Sequence, residues 1–140
     1  MTGEARERGK ELGQLLATRK NEQKTPFCLI SGGETTVTIR GKGIGGRNLE
    51  LALAAVEILT DVPGAALVTL ATDGDDGISG AAGAVVTGET MARAEELGIH
   101  PRDFLKNNDS FTFFQKVGGL LVTGPTGTNV NDLVFLIGCS

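Results

Sequence analysis

The stretch FCLISGGETTVTIRGKGIGGRNLELALAAVEIL, residues 27–59, contains the succession of elements that decides the fold. It begins with a short apolar run at 27–31, which is typical of a buried strand. The β-branched run TTVTI at 35–39 predicts a second strand, and a glycine-rich loop follows at 41–46. Residues 47–59 carry apolar side chains around most of their circumference, which predicts a largely buried helix. Strands, a bare loop and a buried helix in succession indicate a layered α/β domain.

The rest of the chain continues this alternation. Further helices are predicted at 3–19, 89–98, from 100 onward, and at 109–118 with Asp109 as the N-cap. Further strands are predicted at 65–72, 120–124 and 132–138. Some strand connections are too short for a crossover, so we expect a mixed β-sheet flanked by helices. We expect one domain, with a lead-in helix at 3–19, a polar linker at 20–26 and a core at 27–140.

Composition narrows the class of protein. The chain has 140 residues, a net charge of −4 and neither Trp nor Tyr, so a broad nucleic-acid or membrane-surface role is not expected. It has no signal peptide or membrane-length apolar run, and we expect a cytoplasmic protein. Cys28 and Cys139 lie in apolar contexts and are expected to be small buried or terminal hydrophobic residues, with a disulfide or a metal pair as the alternative. The single histidine, His100, precedes a proline and is expected at the surface or as a helix cap.

The glycine-rich loop is the first candidate site. Between Glu34 and Glu50 the chain carries no acid. Gly45 and Gly46 directly precede a predicted helix, where exposed amides and the helix dipole favour an anion. Arg47 falls in the first helical turn, where a cation is disfavoured unless an anion binds beside it. The loop therefore predicts an anion site, and the alternative is a tight hairpin with a solvated Arg47.

Two further loops follow predicted strands. The sequence ATDGDDG at 71–77 places Asp73, Asp75 and Asp76 at a strand end, where carboxylates suit Mg²⁺ or act as a base. A solvated Asp-Gly turn is the alternative for this loop. The loop TGPTGTNVND at 123–132 offers neutral donors and acceptors that suit phosphate or sugar hydroxyls, or that merely cap a turn.

Together these three loops resemble the MOFRL domain, the C-terminal part of bacterial and archaeal glycerate 2-kinases. The resemblance rests on SGGETTVTIRGKGIGGRN, ATDGDDG with the later AAGA, and NDSFTFF followed by GGLLVTGPTGTNVNDL. It implies ATP- and Mg²⁺-dependent transfer of a phosphoryl group to the 2-hydroxyl of D-glycerate. It also implies a separate N-terminal Rossmann-like kinase domain that this chain lacks. Some relatives of this type are described as hydroxypyruvate reductases.

The resemblance also implies roles for individual residues. Arg47 and Asp73 would be catalytic, with Arg47 stabilising charge on the transferring phosphoryl group. Asp73 and Asp76 would hold the metal. The predicted substrate- and phosphate-binding residues are Ser31, Gly32, Gly33, Glu34, Thr35, Gly45, Gly46, Asn48, Asn108, Asp109, Thr126, Thr128, Asn129 and Asn131.

Three functions stay open at this point. The first is a glycerate 2-kinase domain that is incomplete alone, because phosphoryl transfer needs groups from several elements. The second is a noncatalytic anion-binding or assembly module, in which a homo-oligomer would also fit. The third is a reductase, although GKGIGG at 41–46 follows a polar strand rather than the buried strand of a dinucleotide-binding unit.

Overall fold

A computed structural model describes residues 1–139 of the chain. It contains five helices and five strands among these residues. The helices are α1 (Ala5–Glu22), α2 (Arg47–Ala55), α3 (Thr90–Glu96), α4 (Pro101–Lys106) and α5 (Ser110–Val117). The strands are β1 (Phe27–Gly33), β2 (Ala65–Ala71), β3 (Gly83–Thr87), β4 (Leu120–Leu121) and β5 (Asp132–Gly138). The predicted α/β class is confirmed.

The five strands form one sheet in the order β1-β5-β2-β3-β4, and every strand pairing is antiparallel. The expectation of a mixed sheet is therefore wrong. The strands β1 and β2 do run in the same direction and are linked through α2, as in a crossover unit. However, β5 lies between them and pairs antiparallel with both over seven residues each. The last strand of the chain thus separates the two strands that would otherwise pair in parallel.

Helices cover one face of the sheet. Along β2 and β5 the buried side chains alternate with partly exposed ones, as expected for strands whose two faces differ. Leu67 and Leu136 on this face are almost fully buried in one core cluster with residues of α1 and α2, and eight of the nine residues of α2 are buried. In α1, a Cβ at Gly9 would overlap the carbonyl oxygen of Leu51, so the two helices come together closely because this residue has no side chain.

The opposite face of the sheet is only partly covered. Ile30 on the edge strand β1 is 64% exposed, and Phe135 on β5 is half-buried beside it. Cys28 and Cys139 are both free and exposed. The expectation of a buried or terminal residue is therefore wrong for Cys28 and fits Cys139, which lies next to the last residue. Cys28 is exposed because its position on β1 points away from the helices.

The remaining differences from the predicted elements are local. Residues 35–39 form no sheet strand, and Thr36 makes an isolated bridge to Glu4 instead. The strand β3 was not predicted, because its short sequence GAVVT directly follows a glycine-rich loop. The helix predicted at 47–59 ends at Ala55, and turns continue the chain to residue 61.

His100 has the predicted role of a helix cap. Its Nδ1 atom accepts a hydrogen bond from the amide of Arg102 at 3.2 Å at the start of α4. Within residues 1–139, no helix combines the length and the apolar character needed to cross a membrane.

Candidate functional site

A cleft of about 590 Å³ opens where the glycine loop, the start of α2 and the loop after β2 meet. Arg47 and Asp73, the two residues predicted to be catalytic, both line it. The other residues that line the cleft are Val37, Ile39, Gly43, Gly45, Gly46, Glu50, Asp75, Gly77, Ile78, Asn108 and Ser110. A second hollow of about 540 Å³ lies at the other end of β2, around Pro63 and Cys139, and contains none of the predicted site residues.

The segment Asn107-Asn108-Asp109 holds the glycine loop in place. The five consecutive amides of residues 40–44 all donate hydrogen bonds to this segment, at distances between 2.6 and 3.1 Å. Four of them go to side-chain oxygens, and one goes to the carbonyl oxygen of Asn107. The prediction that this loop offers its amides to an anion is therefore wrong for residues 40–44.

The high glycine content of this loop has a structural cause. A Cβ atom at Gly41 would overlap the backbone of Asn107, and one at Gly43 would overlap the side chain of Asp109. A Cβ at Gly45 would overlap the Oγ atom of Ser110. Gly41 and Gly43 thus let one stretch of backbone lie directly against another, which a side chain at either position would prevent.

Asp109 is the residue before α5, but it does not cap that helix as predicted. Its Oδ1 atom accepts from the amide of Ile44 at 3.0 Å and from the hydroxyl of Thr112 at 2.6 Å. No backbone amide of the first turn of α5 bonds to its side chain. The carboxylate thus serves the glycine loop rather than the backbone of the helix.

Three amides remain available at the start of α2. None of the hydrogen bonds among residues 1–139 uses the amides of Gly45, Gly46 or Arg47. All three residues line the cleft. The positive end of the helix dipole points to the same place. The donors that an anion could use are therefore these three amides and the guanidinium group of Arg47.

Asp76 caps helix α2 from a different loop. Its Oδ1 atom accepts from the amide of Asn48 at 3.0 Å and from the side-chain amide of Asn48 at 3.1 Å, and its Oδ2 atom accepts from the amide of Leu49 at 2.8 Å. Asp76 is 1% exposed, and this burial raises its pKa although the three hydrogen bonds oppose the shift. The two residues predicted to bind metal and substrate, Asp76 and Asn48, therefore bind each other.

Asp73 and Asp75 are the acids of the cleft lining that are not buried. Asp73 is partly exposed, Asp75 is exposed, and both line the cavity. The Oδ1 atom of Asp73 accepts from the amide of Asp75 at 3.0 Å. Among residues 1–139, no group of three or more His, Cys, Asp and Glu residues is placed to enclose a metal ion. This donor set suits a cation that takes one or two carboxylates and obtains its other ligands from a phosphate and water, as Mg²⁺ does.

Arg47 is held by two carboxylates. Its Nε and Nη2 atoms donate to Asp132 at 3.1 and 3.4 Å, and its Nη1 atom donates to Glu34 at 2.6 Å. Burial alone would lower the pKa of Arg47, but the charges of Asp132 and Glu34 outweigh burial and raise it. The guanidinium group therefore stays charged.

Glu50 is a buried acid in the wall of the cleft. It accepts two hydrogen bonds from Arg6, both at 3.2 Å, and one from the side-chain amide of Asn108 at 3.0 Å. Arg6 also donates to the carbonyl oxygen of Leu105 at 3.0 Å. This network joins α1, α2 and the segment that holds the glycine loop.

Several predicted site residues lie outside the cleft lining. The loop at 123–131 is fixed to the end of β2, because Thr126 donates to the carbonyl oxygen of Thr72 at 2.5 Å and Val130 donates to the hydroxyl of Thr72 at 2.9 Å. The predicted residues that do not line the cleft are Ser31, Gly32, Gly33, Glu34, Thr35, Asn48, Asp76, Asp109, Thr126, Thr128, Asn129 and Asn131. Of these, Glu34 reaches the cleft indirectly, through Arg47.

Sequence reasoning did not select Asp132 and Glu50. Both are acids with 3% and 2% exposure, respectively. Acids at such depth are rare unless they are paired. Asp132 begins an apolar strand, and Glu50 lies within an almost wholly apolar helix. A charged residue inside an otherwise buried element is the signal that would have identified them.

A sequence profile of the MOFRL family matches residues 27–132. The chain belongs to the MOFRL family. A D-glycerate 2-kinase of Thermotoga maritima is 48% identical to this MOFRL domain over 135 residues, which are 94% of this chain and 32% of that protein. A glycerate 2-kinase of Pyrococcus horikoshii is 45% identical over 141 residues, 98% of this chain and 32% of its own length.

A crystal structure of a glycerate kinase from Thermotoga maritima superposes on this MOFRL domain with a TM-score of 0.95 and 45% identity. It is matched over 99% of this chain and 34% of its own chain. This chain therefore spans about a third of the length of the curated relatives it matches. The resemblance inferred from the three loops is confirmed.

Proposed function

We propose that this chain forms one wall of the active site of an ATP-dependent glycerate 2-kinase. The reaction moves the γ-phosphoryl group of ATP to the 2-hydroxyl of D-glycerate and leaves ADP. The observation that carries the proposal is the shared cleft, whose lining includes Arg47, the residues of three amides without a protein partner among residues 1–139, and the exposed or half-buried acids Asp73 and Asp75. The similarity to a D-glycerate 2-kinase at 48% identity and to a glycerate 2-kinase at 45% identity supports D-glycerate as the substrate.

Arg47 and the amides of Gly45 and Gly46 form the anion-binding side of the proposed site. A phosphoryl group in transfer carries charge on three oxygens, and fixed donors stabilise that charge without reorganising. Asp132 fixes the position of the guanidinium group of Arg47, because the carboxylate of Asp132 is buried, lies on a strand and accepts a hydrogen bond from Nε. The donors are therefore in place before the ligand arrives.

Asp73 and Asp75 form the opposite side of the proposed site. These two carboxylates would hold Mg²⁺, which would neutralise part of the phosphate charge of ATP. We do not assign Asp76 to this role, because it is 1% exposed and its two oxygens accept three hydrogen bonds at the start of α2. Asp73 is half-buried, so it also has the restricted position that a base toward the substrate hydroxyl would need.

The cleft is incomplete on its outer side. Ile39 and Ile78 line it and are 72% and 88% exposed. Large apolar side chains at a cavity mouth favour a second surface that covers them. We propose that this surface belongs to a further kinase domain, in the part of the relatives' length that this chain does not match, and that the isolated 140 residues have little or no kinase activity.

Titration calorimetry tests the anion site in the chain itself. Phosphate, ATP with Mg²⁺ and D-glycerate are titrated into the wild-type chain, Arg47→Ala and the control Arg40→Ala, whose exposed side chain lies outside the cleft. We expect Arg47→Ala to lose phosphate binding while Arg40→Ala retains it. Unchanged phosphate binding in Arg47→Ala would refute the proposed site.

A chimera tests the catalytic role. The chain replaces the matching segment of the Thermotoga maritima D-glycerate 2-kinase, and phosphorylation of D-glycerate is followed with ATP. We expect an active chimera that loses most of its activity with Arg47→Ala but keeps it with Arg40→Ala. A folded chimera that binds ATP but shows no turnover would favour the noncatalytic module.

A further inference from the structure

The two carboxylates that hold Arg47 differ in burial and in position. The side chain of Asp132 is 4% exposed, and the residue begins a strand that is paired on both sides. The side chain of Glu34 is 56% exposed, and the residue lies in the segment that follows β1. Asp132 binds Nε and Nη2, whereas Glu34 binds only Nη1. One partner is therefore fixed in the fold, and the other can leave into water at small cost.

We propose that Glu34 is an internal competitor for Arg47, which an incoming anionic ligand displaces, and that Asp132 is the positioning residue that keeps Arg47 in place during the exchange. This inference rests on the proposed anion site. In the free chain the carboxylate of Glu34 takes the place on Nη1 that a phosphate or carboxylate oxygen of the ligand would take. Ligand binding then exchanges one exposed ion pair for another rather than creating a new one.

Because of this exchange, a ligand must bind Arg47 more strongly than Glu34 does. The exposed ion pair between Arg47 and Glu34 is weak. An anion that carries more charge, or that can accept hydrogen bonds from more groups of the protein, therefore displaces Glu34 readily. A phosphate group can also use the amides of Gly45, Gly46 and Arg47, which Glu34 does not reach in this structure. Glu34 therefore favours phosphorylated ligands over simple carboxylates at this position.

Two substitutions separate this arrangement from a plain effect of net charge. Glu34→Gln and Asp132→Asn each remove one negative charge beside Arg47. If charge alone mattered, both would tighten the binding of inorganic phosphate. If Asp132 positions the guanidinium, Asp132→Asn weakens binding although it removes a repulsive charge. Glu95→Gln on the exposed face of α3 is the control, because it makes the same charge change away from the cleft.

The experiment titrates inorganic phosphate into the ¹⁵N-labelled wild-type chain and these variants, following the Nε–H signal of Arg47 by NMR. We expect about three- to fivefold tighter binding in Glu34→Gln, on the scale of one exposed ion pair. We expect several-fold weaker binding in Asp132→Asn and no change in Glu95→Gln. The Nε–H signal of the free chain should move in Asp132→Asn and stay in Glu34→Gln, because Nε bonds Asp132 alone.

Two results would overturn the proposal. One is a Glu34→Gln chain that binds phosphate no more tightly than Glu95→Gln, and the other is an Asp132→Asn chain that binds as tightly as Glu34→Gln. Arg47→Ala in the same titration shows whether only this proposal is wrong or the proposed function is wrong as well. If Arg47→Ala loses phosphate binding while Glu34→Gln gains none, the anion site stands and only the competition is wrong. If Arg47→Ala binds like the wild type, the site itself is wrong.

Discussion

Replacing Asn108 by alanine should destabilise the domain strongly. The side chain is buried and makes four hydrogen bonds. It accepts from the amides of Arg40 and Gly41 at 2.6 and 2.8 Å, and it donates to the carbonyl oxygen of Thr38 at 3.2 Å and to Glu50 at 3.0 Å. No side-chain atom of alanine can replace any of them.

The magnitude follows from these contacts. The three bonds to backbone are only partly buried, and together they contribute about 1.5 kcal/mol. The bond to the buried charge of Glu50 contributes about 1.5 kcal/mol more. Asn108 also has a φ of +51°, and alanine in this left-handed region costs about 1 kcal/mol. The sum is about 4 kcal/mol, a large part of the stability of a typical domain.

Urea unfolding followed by far-ultraviolet circular dichroism measures this loss, since the chain has no Trp or Tyr for fluorescence. Asn108→Gly keeps the left-handed backbone and should recover about 1 kcal/mol relative to alanine. Asn107→Ala removes one exposed side-chain bond to the amide of Lys42 and should cost less than about 1 kcal/mol. Equal losses in Asn107→Ala and Asn108→Ala, or a loss below about 1 kcal/mol in Asn108→Ala, would refute the reasoning.

Gly43→Ala should lower the free energy of unfolding by about 1–3 kcal/mol, because the added methyl group overlaps Asp109; an unchanged urea midpoint would contradict the close packing of the two segments. The pKa of Asp76 is raised above its usual 3.8 in the folded state. Between pH 3.8 and this raised pKa, the folded state holds a proton that the unfolded state has released, so the free energy of unfolding falls as the pH rises. Asp76→Asn should remove this slope in urea titrations across pH, and an unaltered slope would assign it to another group.

The sequence was most informative where apolar residues form long runs. The strands β2 and β5 and the helix α2 lie within a residue or a few of their predicted bounds, because burial of a continuous apolar segment leaves few alternatives. Residues 35–39 show the opposite case. Their β-branched side chains favour a strand, but the segment leaves the sheet and meets the chain near Glu4. Strand propensity describes a fit to neighbours that the sequence alone does not name.

The candidate site shows the same division. The prediction that Arg47 and Asp73 share one cavity is confirmed. Asp73 follows β2, the segment that leads to Arg47 follows β1, and these two strands end at the same edge of the sheet. The acids of the DGDDG loop could not be told apart from their sequence. Asp76 turns inward to cap α2 and Asp75 turns outward, although they are neighbours. That choice depends on where α2 begins in space, which is a tertiary fact.

The hydrogen bonding of the amides in the glycine loop connects the stability of the domain with the proposed ligand binding. Five consecutive amides at 40–44 are bound to Asn107-Asn108-Asp109, whereas the next three, at 45–47, have no partner among residues 1–139 and belong to residues that line the cleft. The first set gives the second its position, since a loop rich in glycine has no side chains of its own to fix it. A change at Asn108 should therefore weaken phosphate binding even though it removes no charge from the cleft. The proposed anion site would then depend on the neutral side chain of Asn108 as well as on Arg47.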